Sequence, residues 1–190
     1  MSGHDDLRAF FDYHLDAGLH HGAQLAVYRE GDRVVDFAGG VTGPDGEGTT
    51  SDRRHLLFSC TKPFSAVCLH HLVDRGAVDY DDPVVDHWPA FAGTGSEKAD
   101  VTVRHVLSHQ AGLPRAGIDG EPDRWGDWDA VRESMEAAEL AFTPGETAAY
   151  HALTYGWLVG ELVRRVSGTP IDEYAAEHLV LLAEDDEELL

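Results

Sequence analysis

The chain has 190 residues, of which 35 are Asp or Glu and only 14 are Lys or Arg, for a formal net charge of −21. A polyanionic partner needs a basic footprint that cannot be assembled here, so a nucleic-acid binder is excluded. The length suits a single domain over residues 1–190, and 43% hydrophobic with 9% aromatic residues is enough for a sizeable core, so disorder is not expected.

Over residues 7–19, Leu7, Phe10, Phe11 and Leu15 follow a helical spacing that Gly18 and Gly22 interrupt, which predicts an opening amphipathic helix. Residues 23–28 and 33–38 are β-rich runs separated by Glu30-Gly31-Asp32, the pattern of a hairpin. The Gly-, Thr- and Asp-rich stretch 39–52 reads as an exposed loop. Apolar positions 64, 67, 68 and 72 then predict a helix over 61–75, with Pro63 tolerated in its first turn.

Residues 78–95 carry clustered Asp and Pro and are expected to cross the fold irregularly. A short helix is predicted over 102–107, a long loop over 117–127 and a helix over 130–138. Tyr155, Leu158, Val159, Leu162, Val163 and Val166 match the i, i+3, i+4, i+7 template, and Ser167-Gly168 stops them. Thr169 is expected to cap a last helix, with Pro170 first and Asp172 third, that runs into the acidic patch 184–188. Helices outnumber strands, an α/β (α+β) pattern without internal repeat.

No segment approaches the about 20 consecutive apolar residues of a membrane helix, and residues 1–6 lack the basic and apolar regions of a signal peptide. Cys60 and Cys68 are eight apart in one predicted helix, out of disulfide reach of each other, so reduced thiols and a cytoplasmic setting are expected. The positive charge is 12 Arg and two Lys, Lys62 and Lys98. An acidic, lysine-poor composition holds hydration and counterions, which points to a halophilic type of adaptation.

Lysine scarcity draws attention to Ser59-Cys60-Thr61-Lys62, a Ser-x-x-Lys at the mouth of a predicted helix. Eight Ser and two Lys in 190 residues give that spacing about 0.08 times by chance. Positions i and i+3 share a helix face, so the amine can approach the hydroxyl. A helix N-terminus in a partly desolvated cleft lowers a lysine pKa and stabilises an alkoxide, so the amine can accept a proton. A capping serine beside a solvated lysine fits the same spacing; what favours chemistry is that an arginine would serve as a surface cation but not as a proton acceptor. His105 and His109 stand at i, i+4, a zinc-ligand spacing. No Glu follows His105 and no third ligand is evident, so no metal is expected and His109 is read as satisfying a turn. The acidic runs 79–82 and 184–188 lack calcium-loop spacing and read as solvated surface.

Phe58-Ser59-Cys60-Thr61-Lys62-Pro63 resembles the nucleophile motif of the serine β-lactamase and penicillin-binding-protein superfamily. The resemblance continues in order through Gly76-Ala77-Val78-Asp79-Tyr80-Asp81-Asp82-Pro83-Val84 and the Val101-Thr102-Val103-Arg104-His105-Val106-Leu107-Ser108-His109-Gln110-Ala111-Gly112-Leu113-Pro114 string, which is similar to that of class C-like members. It ends with Pro144-Gly145-Glu146, Tyr150-His151-Ala152 and Tyr155-Gly156-Trp157, and spans about residues 7 to 182.

The resemblance implies a β-lactamase/transpeptidase-like fold, helices around an antiparallel sheet, with Ser59 as acylated nucleophile, Lys62 as its proton partner and Tyr150 as a second general base. It implies no cofactor, and a small ester or acyl compound as substrate. Ala152 stands where many such β-lactamases have Asn, which favours carboxylester hydrolysis over β-lactamase or D-Ala-D-Ala carboxypeptidase activity. The family's third motif, Lys-Thr-Gly or His-x-Gly on a late strand, has no counterpart. The expectation is therefore a domain truncated before the last strands of the sheet, with a non-catalytic fragment as the rival reading and self-association through an unpaired sheet edge as a consequence.

Overall fold

The computed structural model describes residues 3–179, which divide between residues 56 and 57 into two compact units. The first unit opens with helix α1 (Gly3–Asp16), ended at the left-handed Gly18. Strands β1 (Gly22–Arg29) and β2 (Asp32–Thr42) pair antiparallel, with Gly22 opposite Gly40 and Val27 opposite Val35, and a short β3 (Glu47–Gly48) pairs with the end of β2. The hairpin turn is tighter than predicted. Only Glu30 and Gly31 lie outside the ladder, both at positive φ, the two-residue geometry that matches strand twist.

Part of the expected 39–52 loop is thus strand, because β2 runs on to Thr42 and folds back through Gly43 and Gly46, both left-handed. Phe11 of α1 packs on Val35 and Phe37, with Leu7 and Leu15 beside them. Phe10 of the same helix is exposed. The buried stripe is the strict i, i+4 series 7, 11, 15, and position 10 falls outside it. Gly39 leaves room for this packing: a Cβ there would meet the Leu15 side-chain tip at 2.7 Å, and the leucine would have to shift.

The second unit is helical. Helices α2 (Lys62–Asp74), α3 (Val84–His87), α4 (Val103–Leu107), α5 (Trp128–Ala137) and α7 (Ile171–His178) gather around α6 (Thr154–Ser167). The α6 apolar stripe is buried from Tyr155 to Val163, against Leu69 and Leu72 of α2 and Val106 of α4. Asp127 caps α5 by accepting the Ala130 N–H at 3.1 Å. Gly168, at φ 80°, ends α6.

Two expectations need correction. Residues 78–95 are more ordered than their Asp and Pro content suggests. Pro83 bridges to Thr102, α3 forms one turn, and Val84, Trp88 and Phe91 are fully buried, so apolar anchoring overrides the local turn chemistry. Within this stretch Asp79 and Asp81 are exposed, as expected, and the run is also hydrogen-bonded: Asp81 holds Arg104 through two bonds of 2.7 and 3.1 Å, and Asp82 accepts the Asp79 N–H at 2.8 Å. The cap of α7 is also displaced. Pro170, not Thr169, takes the N-cap place, because the Ser167 hydroxyl accepts the Thr169 N–H at 3.1 Å. The acidic patch 184–188 lies outside the described residues.

Candidate active site

Ser59 precedes α2 in a 3₁₀ turn, Phe58–Thr61, in which the Cys60 N–H bonds the Leu57 carbonyl at 3.0 Å and the Lys62 N–H bonds the Ser59 carbonyl. Phe58 enters that turn at φ 48°, a left-handed conformation that costs a bulky residue about 1 kcal/mol. The chain thus turns sharply into Ser59. Because Cys68, Leu69 and Leu72 bury one face of α2, the start of the helix is fixed in place, and Ser59 and Lys62 with it.

Tyr150 arrives from an irregular segment, 91 residues after Ser59. Its hydroxyl donates to Ser59 Oγ at 2.6 Å, and Lys62 Nζ donates to the same Oγ at 3.3 Å. Lys62 Nζ also donates to the Ala152 carbonyl at 2.7 Å and lies 4.9 Å from the centre of the Tyr150 ring. The three residues singled out in the sequence are therefore within reach of one another. Ser59 and Tyr150 are exposed and Lys62 is half-buried, so the cluster opens to solvent. The hydrogen bond that the Ser59 hydroxyl gives the ionised phenol, then hydrogen bonding to Lys62 and its charge, hold the Tyr150 phenol below its ordinary pKa.

The segment carrying Tyr150 hangs on residues 109–113. Gly145 N–H bonds the Gln110 carbonyl and Ala149 N–H the His109 carbonyl, each at 3.1 Å. The buried His151 accepts the Leu113 N–H on Nε2 at 3.1 Å and pairs through Nδ1 with the Ala149 carbonyl, so it is a neutral Nδ1–H tautomer. Burial pushes its pKa down.

The two histidines with zinc-like spacing are both engaged by backbone. His105 Nδ1 accepts the Thr102 N–H at 3.3 Å while its own N–H bonds the Thr102 hydroxyl at 3.2 Å, a reciprocal cap of α4. His109 Nδ1 accepts the His151 N–H at 3.2 Å. Among the described residues no group of three or more His, Cys, Asp or Glu could hold a metal ion.

Sequence reasoning missed two parts of this arrangement. The Ala152 carbonyl partners Lys62 through the backbone, which leaves no residue-type signal. The Tyr155 ring lies 5.9 Å from Lys62 Nζ, and its place on the α6 apolar stripe and in the Tyr155-Gly156-Trp157 string gives no sign of that contact.

Residues 7–183 match the family described as Beta-lactamase. The chain is 42% identical over 149 residues to the Esterase/beta-lactamase LipL of Mycobacterium tuberculosis, which covers 77% of the chain and 34% of that protein. It is 32% identical over 182 residues to Esterase EstB of Burkholderia gladioli, covering 87% of the chain and 46% of that protein. A family VIII carboxylesterase crystal structure superposes with a TM-score of 0.83 at 33% identity, over 92% of this chain and 47% of that one. The chain spans less than half the length of these relatives.

Proposed function

The chain belongs to the beta-lactamase family, and on that premise we propose that it carries the nucleophile and proton-transfer groups of a serine carboxylesterase acting by acyl-enzyme chemistry on small esters. The observation that carries this reading is the position of Ser59 Oγ, 2.6 Å from the Tyr150 hydroxyl and 3.3 Å from Lys62 Nζ. With Tyr150 ionised and its phenolate held by the Lys62 ammonium, the Ser59 proton passes to Tyr150 as Oγ attacks the ester carbonyl carbon. Collapse of the tetrahedral adduct breaks the ester C–O bond, and the alkoxide leaves with the proton from Tyr150. Water then attacks the acyl carbon and gives its proton to Tyr150; collapse breaks the bond to Ser59 Oγ, which takes that proton back from Tyr150, and the acid is released.

Ala152 supports an ester over a β-lactam, since its side chain offers no amide to a substrate and its carbonyl is taken by Lys62. The names of EstB and of the family VIII carboxylesterase support the same choice, whereas LipL is named for both activities. Mixing the chain with a p-nitrophenyl ester is expected to give a burst of p-nitrophenol and an acyl adduct on Ser59 by mass spectrometry. Ser59→Ala should lose both; a burst that persists in this variant overturns the assignment. Covalent labelling by a penicillin in place of the ester would move the substrate to the β-lactam side.

Three further proposals complete the reading. The unpaired Cys60 and Cys68 support a cytoplasmic setting, and the acid excess supports a halophilic one. β1, which pairs on one side only among the described residues, is the edge through which self-association would occur.

A further inference from the structure

We propose that His109 is a positioning residue that holds Tyr150 in register with Ser59 and Lys62; this rests on the reading of Ser59 as nucleophile. His109 grips the tyrosine segment on both sides of Tyr150. Its carbonyl accepts the N–H of Ala149 at 3.1 Å, and its Nδ1 accepts the N–H of His151 at 3.2 Å. Its ring lies against the Tyr150 ring, with centroids 5.1 Å apart, and against the Tyr155 ring of α6 at 4.8 Å.

One residue can reach the segment through both its carbonyl and its imidazole because His109 sits at φ 61°, in the left-handed region. One step further along, Lys62 Nζ bonds the Ala152 carbonyl. Residues 149 and 151 are therefore tied by His109 and residue 152 by Lys62, so the phenol between them is held from both ends.

The tie at Nδ1 requires a neutral imidazole, since a protonated one has no acceptor to offer. The groups facing it are Lys62 from α2, Tyr150 and His151 from the tyrosine segment and Tyr155 from α6. Burial first, and the Lys62 charge second, lower the His109 pKa, in keeping with that requirement. With Nδ1 occupied by backbone, His109 is not the base that takes the Ser59 proton. It acts through Tyr150.

The test compares His109→Ala with His109→Asn. Asparagine places an acceptor oxygen close to where Nδ1 stands and tolerates a left-handed backbone, so it preserves both ties. His109→Ala removes the side-chain tie, and a misplaced catalytic group costs about 10- to 100-fold in rate. The expected result is a loss of that size in the acylation rate with KM within about twofold, and recovery of most of it in His109→Asn.

The second readout needs no activity: the phenolate titration of Tyr150, taken as the absorbance difference from Tyr150→Phe. Its midpoint should rise toward that of an ordinary tyrosine in His109→Ala and return in His109→Asn. A folded His109→Ala variant with wild-type acylation and an unmoved Tyr150 midpoint overturns the proposal, as does a His109→Asn variant that behaves like His109→Ala in both readouts. Absence of any Ser59 adduct in the wild type would instead refute the esterase reading, and the phenolate titration would then decide the role of His109 alone.

Discussion

Lys62 and Lys98 are the two lysines of the chain, and their surroundings use the amine differently. Lys62 faces the open cluster with Ser59 and Tyr150. Lys98 is 5% exposed, donates to the carbonyls of Met135 and Glu136 at 2.8 and 2.9 Å at the end of α5, and lies 4.6 Å from the Phe91 ring centre. Burial lowers its pKa to about 8, against an opposing pull from Glu136. The folded state therefore binds fewer protons than the unfolded one between about pH 8 and 10.5, and the cost of burying the cation is relieved as pH rises through that window.

Relative to Lys98→Met, the wild type should gain on the order of 3 kcal/mol over that range, read by denaturant unfolding followed through tryptophan fluorescence. Equal slopes in the two proteins would refute this. At the Ser59 cluster, Tyr150→Phe should cut the proposed acylation about 10²- to 10⁴-fold, the usual worth of a positioned acid or base. Lys62→Met should raise the Tyr150 phenolate midpoint, since it removes two of the groups' influences that lower it. The scarcity of lysine made Lys62 legible in the sequence. It could not separate Lys98 from a solvated charge, because Glu97-Lys98-Ala99-Asp100 reads as a polar turn until the core closes over it.

At the scale of an element, α6 was the most legible helix: the apolar period predicts 155–166 and the helix runs from Thr154 to Ser167. Periodicity did not reveal the carboxylate inside the stripe. Glu161 is fully buried; it accepts from Trp128 Nε1 at 2.7 Å, from Arg164 through two bonds of 2.8 and 2.7 Å, and from Arg165 at 2.6 Å. Burial pushes its pKa up, and bonds from Arg164, Trp128 and Arg165 more than offset this, so the net shift is downward. Its stabilisation is present above the ordinary carboxylate range and lost as pH falls through the lowered value. Glu161→Gln should destabilise by about 2–4 kcal/mol at neutral pH and flatten the acid limb of the stability curve.

Two glycines of α6 should respond in opposite directions. Gly156 has open space where a Cβ would go, so Gly156→Ala should stabilise by about 0.5–1 kcal/mol through helix propensity. At Gly160 a Cβ would meet the Trp128 ring at 2.8 Å and disturb the bond from Trp128 to Glu161, so Gly160→Ala should destabilise by about 1–3 kcal/mol. Melting temperatures of the pair check both signs.

At the scale of the whole molecule, the net charge of −21 sets the electrostatics more than any ion pair does. Pairs such as Arg8–Asp12, Arg104–Asp81 and Arg124–Glu121 are exposed, and each is worth at most about 1 kcal/mol. Salt shortens the screening length from about 10 Å at 0.1 M to about 3 Å at 1 M, which weakens self-repulsion across the surface more than it weakens contact pairs. The melting temperature should therefore rise between 0.1 and 1 M KCl. A flat or falling profile would remove the support for a halophilic setting. No described helix is long and apolar enough to cross a membrane.

The sequence by itself determined what short-range geometry encodes. It placed the main helices by their period, the hairpin by its turn residues, and Ser59 and Lys62 on one face by their spacing of three. The ordered motifs further marked Tyr150 through resemblance. Only the tertiary structure brought the Tyr150 hydroxyl to Ser59 across 91 positions, Ala152 to Lys62 across 90, and His151 to His109 across 42. Residues 145–152 form no helix or strand and have no periodicity to read. Their course is set by backbone bonds to residues 109–113 and by the packing of α2 and α4 on α6, and those long-range contacts exist only once the core has closed.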